Sequence, residues 1–354
     1  MPAPPPPSAS TSPGSLMAAE IAEQPEMFAR LLRPGAPEVR AIANQIRAAD
    51  PRFVVLAARG TSDHAALYGK YLVEIELGLP AGLASPSSLT AYGAKPNFTD
   101  VLWVAISQSG GSPDLVESTA AARRAGALTL AVTNAPESPL AAAAQLHLDV
   151  RAGAERSVAA TKSYTAELLM LWLLVDAWRG GDGHAAEVLP QLASTVLQRR
   201  DDLVVADRYR FVEKIVTTAR GYAYPTAREA SLKLMETSYL SAHAFSGADL
   251  LHGPLAMIDQ DRPVICIVPE GVGGQAMQPV LERLRERHAD LCIVGDARFA
   301  CGDETLVALP GGLPEQLSPI LQIIPLQRLA LTMALARHHD PDAPRGLRKI
   351  TQTW

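Results

Sequence analysis

Cysteine is scarce: there are three in 354 residues, Cys266, Cys292 and Cys301, odd in number and without a Cys-x-x-Cys pair. That usage argues against both a disulfide framework and a structural zinc site. Two of the three sit in apolar, strand-like runs and are expected to be buried. Clustered positive charge is missing too. The 32 Lys and Arg are spread along the chain against 37 Asp and Glu, for a net charge of −5, so nothing suggests the counterion-releasing surface that nucleic acid binding requires. The apolar stretch 168–175, bounded by Glu167 and Asp176, is far short of the ~20 residues needed to span a bilayer. The start of the chain, MPAPPPPSASTSPGS, has neither a basic n-region nor an apolar h-region, and residues 1–16 are expected to form a disordered leader. With no sign of export, the expected compartment is the cytoplasm, with no nucleic acid and no membrane as partner. Aromatic residues are 5%, hydrophobic residues 48% and charged residues 19%, which suits a soluble α/β protein but names no function. Single cores rarely grow past roughly 250 to 300 residues, so two cores are the starting expectation.

From Arg52 onward, short apolar runs alternate with helix-length amphipathic segments, the pattern of βαβ units and a parallel sheet. In the first half, strands are expected at 53–57, 101–106, 128–132 and 146–150, with helices near 62–77, 113–125 and 161–178. The second half repeats the order, with strands at 214–218, 264–268 and 291–294 and helices at 226–239 and 275–287. Ala58-Arg59-Gly60 and Ala219-Arg220-Gly221 follow corresponding strands, in keeping with an internal duplication. The linker is expected between the glycine-rich 180–183 and about Asp201, with a helix-like stretch at 185–200.

In an open parallel sheet, ligands bind where the carboxyl end of a strand enters the next helix. Ser107-Gln108-Ser109-Gly110-Gly111-Ser112-Pro113 falls at such a place. Three hydroxyls, a carboxamide, backbone N–H groups and a helix N-terminus suit a phosphate monoester, and the loop has no P-loop lysine to suggest a nucleoside triphosphate. A serine-rich turn can also be an ordinary strand-to-helix connection. A second polar turn, Gly60-Thr61-Ser62-Asp63-His64, follows the first strand, where Ser62 or Asp63 could be no more than an N-cap. The corresponding loop of the second half, Pro269 to Gly274, lacks the hydroxyls.

Six segments in order resemble the isomerase portion of glucosamine-6-phosphate synthase: Arg59-Gly60-Thr61-Ser62, Ser107-Gln108-Ser109-Gly110, Val158-Ala159-Ala160-Thr161-Lys162, Glu229 through Glu236, Leu251-His252-Gly253-Pro254 and Pro344 through Lys349. Ser62-Asp63-His64 and the ending Lys349-Ile350-Thr351-Gln352-Thr353 bring the chain closer to stand-alone glucosamine-6-phosphate deaminases of the sugar isomerase (SIS) type. The resemblance covers roughly residues 18–354. It implies two tandem SIS domains, each a doubly wound, flavodoxin-like parallel sheet flanked by helices: a first at 17–185 with the phosphate loop, a second at 200–340 with the catalytic Glu and His, and a tail at 341–354 folded over the site. Thr61, Ser62, Ser107, Gln108, Ser109, Ser112, Val158 and Lys233 are the implied substrate-binding residues.

Glu229, Lys233 and Glu236 recur at i, i+4 and i+7, so they project from one helix face. Such a set is usually a solvated ion-pair face. Here the flanking Ala230, Leu232, Leu234, Met235 and Leu240 suggest a helix with little exposed surface, and buried charges need partners or a task. Moving a double bond between C1 and C2 of an open-chain sugar needs a carboxylate that shuttles a proton, and the resemblance implies Glu236 for it. It also implies His252 for ring opening, in a homodimer where that histidine reaches the neighbour's site, and Lys349 for the C1/C2 region. The chain begins Met1-Pro2-Ala3 with no Cys before Cys266, so a glutamine-hydrolysing half-reaction is not expected. The expected reaction is isomerising deamination of glucosamine 6-phosphate, with no metal and no redox cofactor. Gly111, Ser112, Ala160 and Met235 depart from the synthase pattern toward the deaminase-like branch. A deglycase of fructosamine-6-phosphate adducts, a galactosamine-6-phosphate deaminase and a non-catalytic sugar-phosphate sensor remain open as alternatives.

Overall fold

The computed structural model describes residues 12–32, 36–260 and 262–349. Most of the expected leader and the Thr351-Gln352-Thr353 ending lie outside the described residues. The first helix, Ser15–Ala22, begins inside the expected leader, and Met17 is fully buried.

Among the described residues, ten strands form two five-stranded parallel sheets. The first is ordered β2-β1-β3-β4-β5 and the second β10-β9-β8-β6-β7. In the first they are β1 (Phe53–Ala57), β2 (Ala81–Leu83), β3 (Val101–Ser107), β4 (Leu128–Thr133) and β5 (Leu146–Asp149). In the second they are β6 (Lys214–Ala219), β7 (Ser241–Ser246), β8 (Pro263–Val268), β9 (Asp290–Gly295) and β10 (Thr305–Ala308). The central strands read as unbroken apolar runs, as in VLWVAIS and PVICIV, because helices cover both faces of a parallel sheet. Cys266 and Cys292 lie buried in β8 and β9, while Cys301 is exposed. The expected central strands are all present. The three that the sequence reading lacked, β2, β7 and β10, are edge strands, β2 and β10 short and β7 of mixed polarity. The connection between the sheets holds the helices Leu189–Gln198 and Asp201–Tyr209.

The halves meet through corresponding helices: Thr61–Glu76, which follows β1, packs on Tyr224–Ser238, which follows β6. This contact changes the expectation of two separate cores. The largest buried apolar cluster runs from Met17 to Met333 and includes both sheets, with two smaller clusters on the outer faces. Helix Ser318–Ala336 with its preceding turn exceeds the 168–175 stretch and is long and apolar enough to cross a bilayer, but 83% of its apolar window is buried inside the protein. It is a core helix packed on Tyr224–Ser238.

Candidate active site

Strand order in the first sheet reverses between β1 and β3, so the chain leaves these neighbours in opposite directions and a crevice opens at their carboxyl ends. A cleft of about 290 Å³ lies there, and Thr61, Ser62, Ser107, Gln108, Ser109 and Ser112 all line it. The serine turn is tightly built. Gly110 has φ 61°, and a Cβ there would stand 2.1 Å from Ser138 Oγ, so the position requires glycine. Ser107 Oγ accepts a hydrogen bond from the Gly110 N–H at 3.2 Å, and Ser109 Oγ accepts one from Gly111 at 3.3 Å. Ser112 is the N-cap of helix Pro113–Arg124 but makes no side-chain capping bond. At the rim, Asp114 holds the Arg59 guanidinium at 2.7 Å. The cap of the helix after β1 is Gly60. Ser62, read as a possible cap, instead donates from Oγ to Glu167 Oε1 at 2.9 Å.

Helix Tyr224–Ser238 supplies the carboxylates from the other half. Lys233 is fully buried and bridges both acids of its face, with Nζ 3.3 Å from Glu229 Oε1 and 2.5 Å from Glu236 Oε2. It also donates to Thr61 Oγ1 at 3.0 Å, while that hydroxyl donates to Glu229 Oε1 at 3.2 Å. Burial alone would lower the Lys233 pKa; the charges of Glu229 and Glu236 reverse this and raise it above the ordinary lysine value. The lysine thus stays charged. The set is no solvated ion-pair face, although Met235, beside it, is exposed. Glu229 is wholly buried, while the Glu236 side chain is 24% exposed and lines the cleft. Lys233 does not line it, but holds Glu236 from behind. His64, absent from the expected site residues, completes the network with Nδ1 2.7 Å from Glu229 Oε2.

The tail closes the third side. Leu347, Arg348 and Lys349 line the cleft with Val158, Ala160 and Ser163. Lys349 Nζ donates to the Ser157 carbonyl at 2.6 Å and to Glu155 Oε2 at 3.0 Å. Glu155 is fully buried, and burial pushes its pKa up. The Lys349 ammonium and hydrogen bonds from Ser163 and Thr161 outweigh that and hold the carboxyl below its usual range. Under the cleft, burial pushes the Glu167 pKa up to about 8, against the lowering effect of the Ser62 hydrogen bond. Glu155 and Glu167 were not among the expected site residues; each meets its partners only after folding.

One expected residue stands apart. His252 ends the short helix Gly247–Leu251, is exposed, and does not line this cleft. Among the described residues, no cluster of three or more His, Cys, Asp or Glu is arranged to hold a metal.

A sequence profile described as the SIS domain matches residues 49–177 and 210–300. The chain is 33% identical over 347 residues to a glutamine–fructose-6-phosphate aminotransferase (isomerizing) of Thermococcus kodakarensis, covering 94% of this chain and 57% of that protein. The same description and identity hold for a Pseudomonas aeruginosa relative over 357 residues, with 94% and 58% covered. The chain therefore spans a little over half the length of these curated relatives. A crystal structure from Silicibacter pomeroyi, provisionally assigned as a phosphosugar isomerase, superposes with TM-score 0.83 at 31% identity, covering 92% of this chain and 99% of that one. The C-terminal domain of glucosamine-fructose-6-phosphate aminotransferase from Francisella tularensis gives TM-score 0.86 at 24% identity, covering 95% and 100%; at that identity it speaks to the fold alone.

Proposed function

The chain belongs to the SIS-domain family, and from that premise we propose that it is an enzyme that binds a phosphorylated amino sugar and converts glucosamine 6-phosphate to fructose 6-phosphate and ammonia. The observation that carries this reading is that one cleft is lined both by the serine turn of the first half and by Glu236 of the second. The ester phosphate sits on Ser107, Ser109 and Ser112 with Gln108, at the N-terminus of helix Pro113–Arg124, where backbone N–H groups and the helix dipole favour an anion. Thr61, Ser62 and Val158 close around the sugar. Glu236 takes the proton from C2 of the open-chain amino aldehyde and returns it to C1. This leaves a C2 imine, to which water adds as ammonia departs. Lys233, held charged, positions Glu236; it touches no reacting atom.

Ring opening falls to His252 of a second copy in a homodimer, and Lys349 serves the C1/C2 region. The domains of this reading are 17–185 and 200–340, with 341–354 as a tail over the site, and the enzyme works in the cytoplasm without metal or redox cofactor. Deamination is the proposed direction because Gly111, Ser112, Ala160 and Met235 follow the deaminase-like pattern.

The test is to incubate the purified protein with glucosamine 6-phosphate and assay ammonia and fructose 6-phosphate. Equal release of both supports the reading. Cleavage of a fructosamine-6-phosphate amino acid instead makes the protein a deglycase, turnover of galactosamine 6-phosphate alone shifts the substrate, and binding without turnover makes it a sensor.

A further inference from the structure

A second crevice, of about 190 Å³, opens at the carboxyl ends of β8, β9 and β10. It shares no lining residue with the cleft of the first half. Its polar wall is Glu270, Asp296 and Arg298 from the loops after β8 and β9, with Ser318 and Gln322 from the first turns of helix Ser318–Ala336. Leu309, Leu313 and Leu321 form an apolar side.

The charges there are already paired among themselves. Arg298 donates from Nη2 to Asp296 Oδ2 at 2.6 Å and to Glu270 Oε1 at 3.4 Å. Glu270 Oε2 also accepts the Gly312 N–H at 3.0 Å. Two carboxylates thus share one guanidinium, and the wall keeps an excess of acceptor oxygens. Gln322 is 1% exposed; its Nε2 donates to Ser318 Oγ at 3.0 Å, while its Oε1 has no hydrogen-bond partner among the described residues. A buried carbonyl left unpaired is unfavourable. It therefore marks a place where a donor belongs.

We infer that this crevice is a separate binding site for a small, unphosphorylated molecule that carries hydroxyl and amine donors on one side and a hydrocarbon face on the other, the chemistry of a free amino sugar. An ammonium or vicinal hydroxyls find acceptors in Glu270, Asp296 and Gln322, and the ring's C–H face lies on the leucines. A phosphate monoester meets two carboxylates and a guanidinium that is already engaged, so the crevice rejects the anion that the serine turn accepts. Helix Ser318–Ala336 packs directly on Tyr224–Ser238, so occupancy here is one helix contact away from Lys233 and Glu236.

The probe is glucosamine, titrated calorimetrically into the full chain and into a Ser107→Ala, Ser109→Ala double variant that disables the cleft. The expected result is saturable binding of the same affinity to both. Gln322→Leu and Asp296→Asn should each weaken it about tenfold or more, while their circular dichroism and melting stay those of a folded chain; Arg298→Ala, at an exposed position, frees the two carboxylates and should leave binding at least as tight, which keeps the test open should Gln322→Leu not fold. Absence of saturable binding overturns the inference. So does binding that is lost in the serine variant but kept in Asp296→Asn, loss of binding in Arg298→Ala, or glucosamine 6-phosphate binding the crevice as well as glucosamine does. The inference is independent of the ammonia assay, so either can fail alone.

Discussion

The two halves of the chain have equivalent strand orders, yet their loops at the point where the order reverses have opposite fates. In the first half the turn between β3 and helix Pro113–Arg124 faces an open cleft, with Ser107, Ser109 and Ser112 on its wall. In the second half the turn between β8 and helix Val272–Glu286 has glycines in place of the hydroxyls, and the helix N-terminus is filled from within. The Val272 and Gly273 N–H groups donate to the two oxygens of Glu315 at 2.7 and 2.9 Å. A Cβ on Gly273 would stand 2.5 Å from that carboxylate, and one on Gly271 closer still. Both halves thus present a helix N-terminus at this point; in the second a single carboxylate, Glu315 before helix Ser318–Ala336, occupies it, while in the first it opens on the cleft. The helices after β1 and β6 divide the remaining work: Thr61–Glu76 contributes Thr61 and His64, whereas Tyr224–Ser238 carries both acids and the lysine.

Breaking the catalytic side of this division should have the largest effect. Glu236→Gln should lower kcat about 10³-fold, within the range for losing a general base, while KM changes little and exchange of the C2 proton with solvent stops; unchanged exchange would remove Glu236 from the mechanism. Breaking the anion side should act on binding. Ser107→Ala with Ser109→Ala should raise KM about 10- to 100-fold, equivalent to roughly 1.4–2.8 kcal/mol, with a much smaller change in kcat.

The corresponding change in the second half, Glu315→Ala, should leave KM alone and reduce unfolding free energy by about 1–3 kcal/mol, since two helix N-terminal N–H groups lose a charged acceptor. Inorganic phosphate in the unfolding buffer should stabilise the variant more than the parent, which gains only through the serine turn. A KM shift as large as that of the serine variant would erase the distinction between the halves.

A different readout, the pH dependence of stability, concerns Glu167 beneath the open turn. Its folded pKa of about 8 exceeds the ordinary 4.5. Between those values the folded state binds a proton that the unfolded state has lost. Its contribution therefore falls as pH rises, by up to about 1.4 kcal/mol per pH unit, and levels off above pH 8. Glu167→Gln should flatten this decline, so that variant and parent differ more at pH 9 than at pH 5 in denaturant melts. Parallel pH profiles would show that Glu167 stays ionised.

Residues that announce themselves locally were legible in the sequence. The apolar runs of β1, β3, β4, β6, β8 and β9, the serine turn, and the i, i+4, i+7 set of two acids and a lysine needed only period and spacing. The edge strands β2 and β7 were not, because such half-exposed segments lack an apolar run. The partners that hold the cleft together, and the one that fills its counterpart in the second half, were invisible for another reason. Lys349 and Glu155 are 194 positions apart, His64 and Glu229 are 165 apart, and Gly273 and Glu315 are 42 apart. No local periodicity relates such pairs. His252 was named through family resemblance alone, and it stands exposed outside the cleft.

The division between the halves is tested most directly by a crystal structure of the Glu236→Gln variant soaked with glucosamine 6-phosphate. The account predicts phosphate density on the hydroxyls of Ser107, Ser109 and Ser112, with C1 and C2 against residue 236 and the Glu315 carboxylate still seated on Val272 and Gly273. Phosphate found at the N-terminus of helix Val272–Glu286, with Glu315 displaced and the serine turn empty, would contradict it.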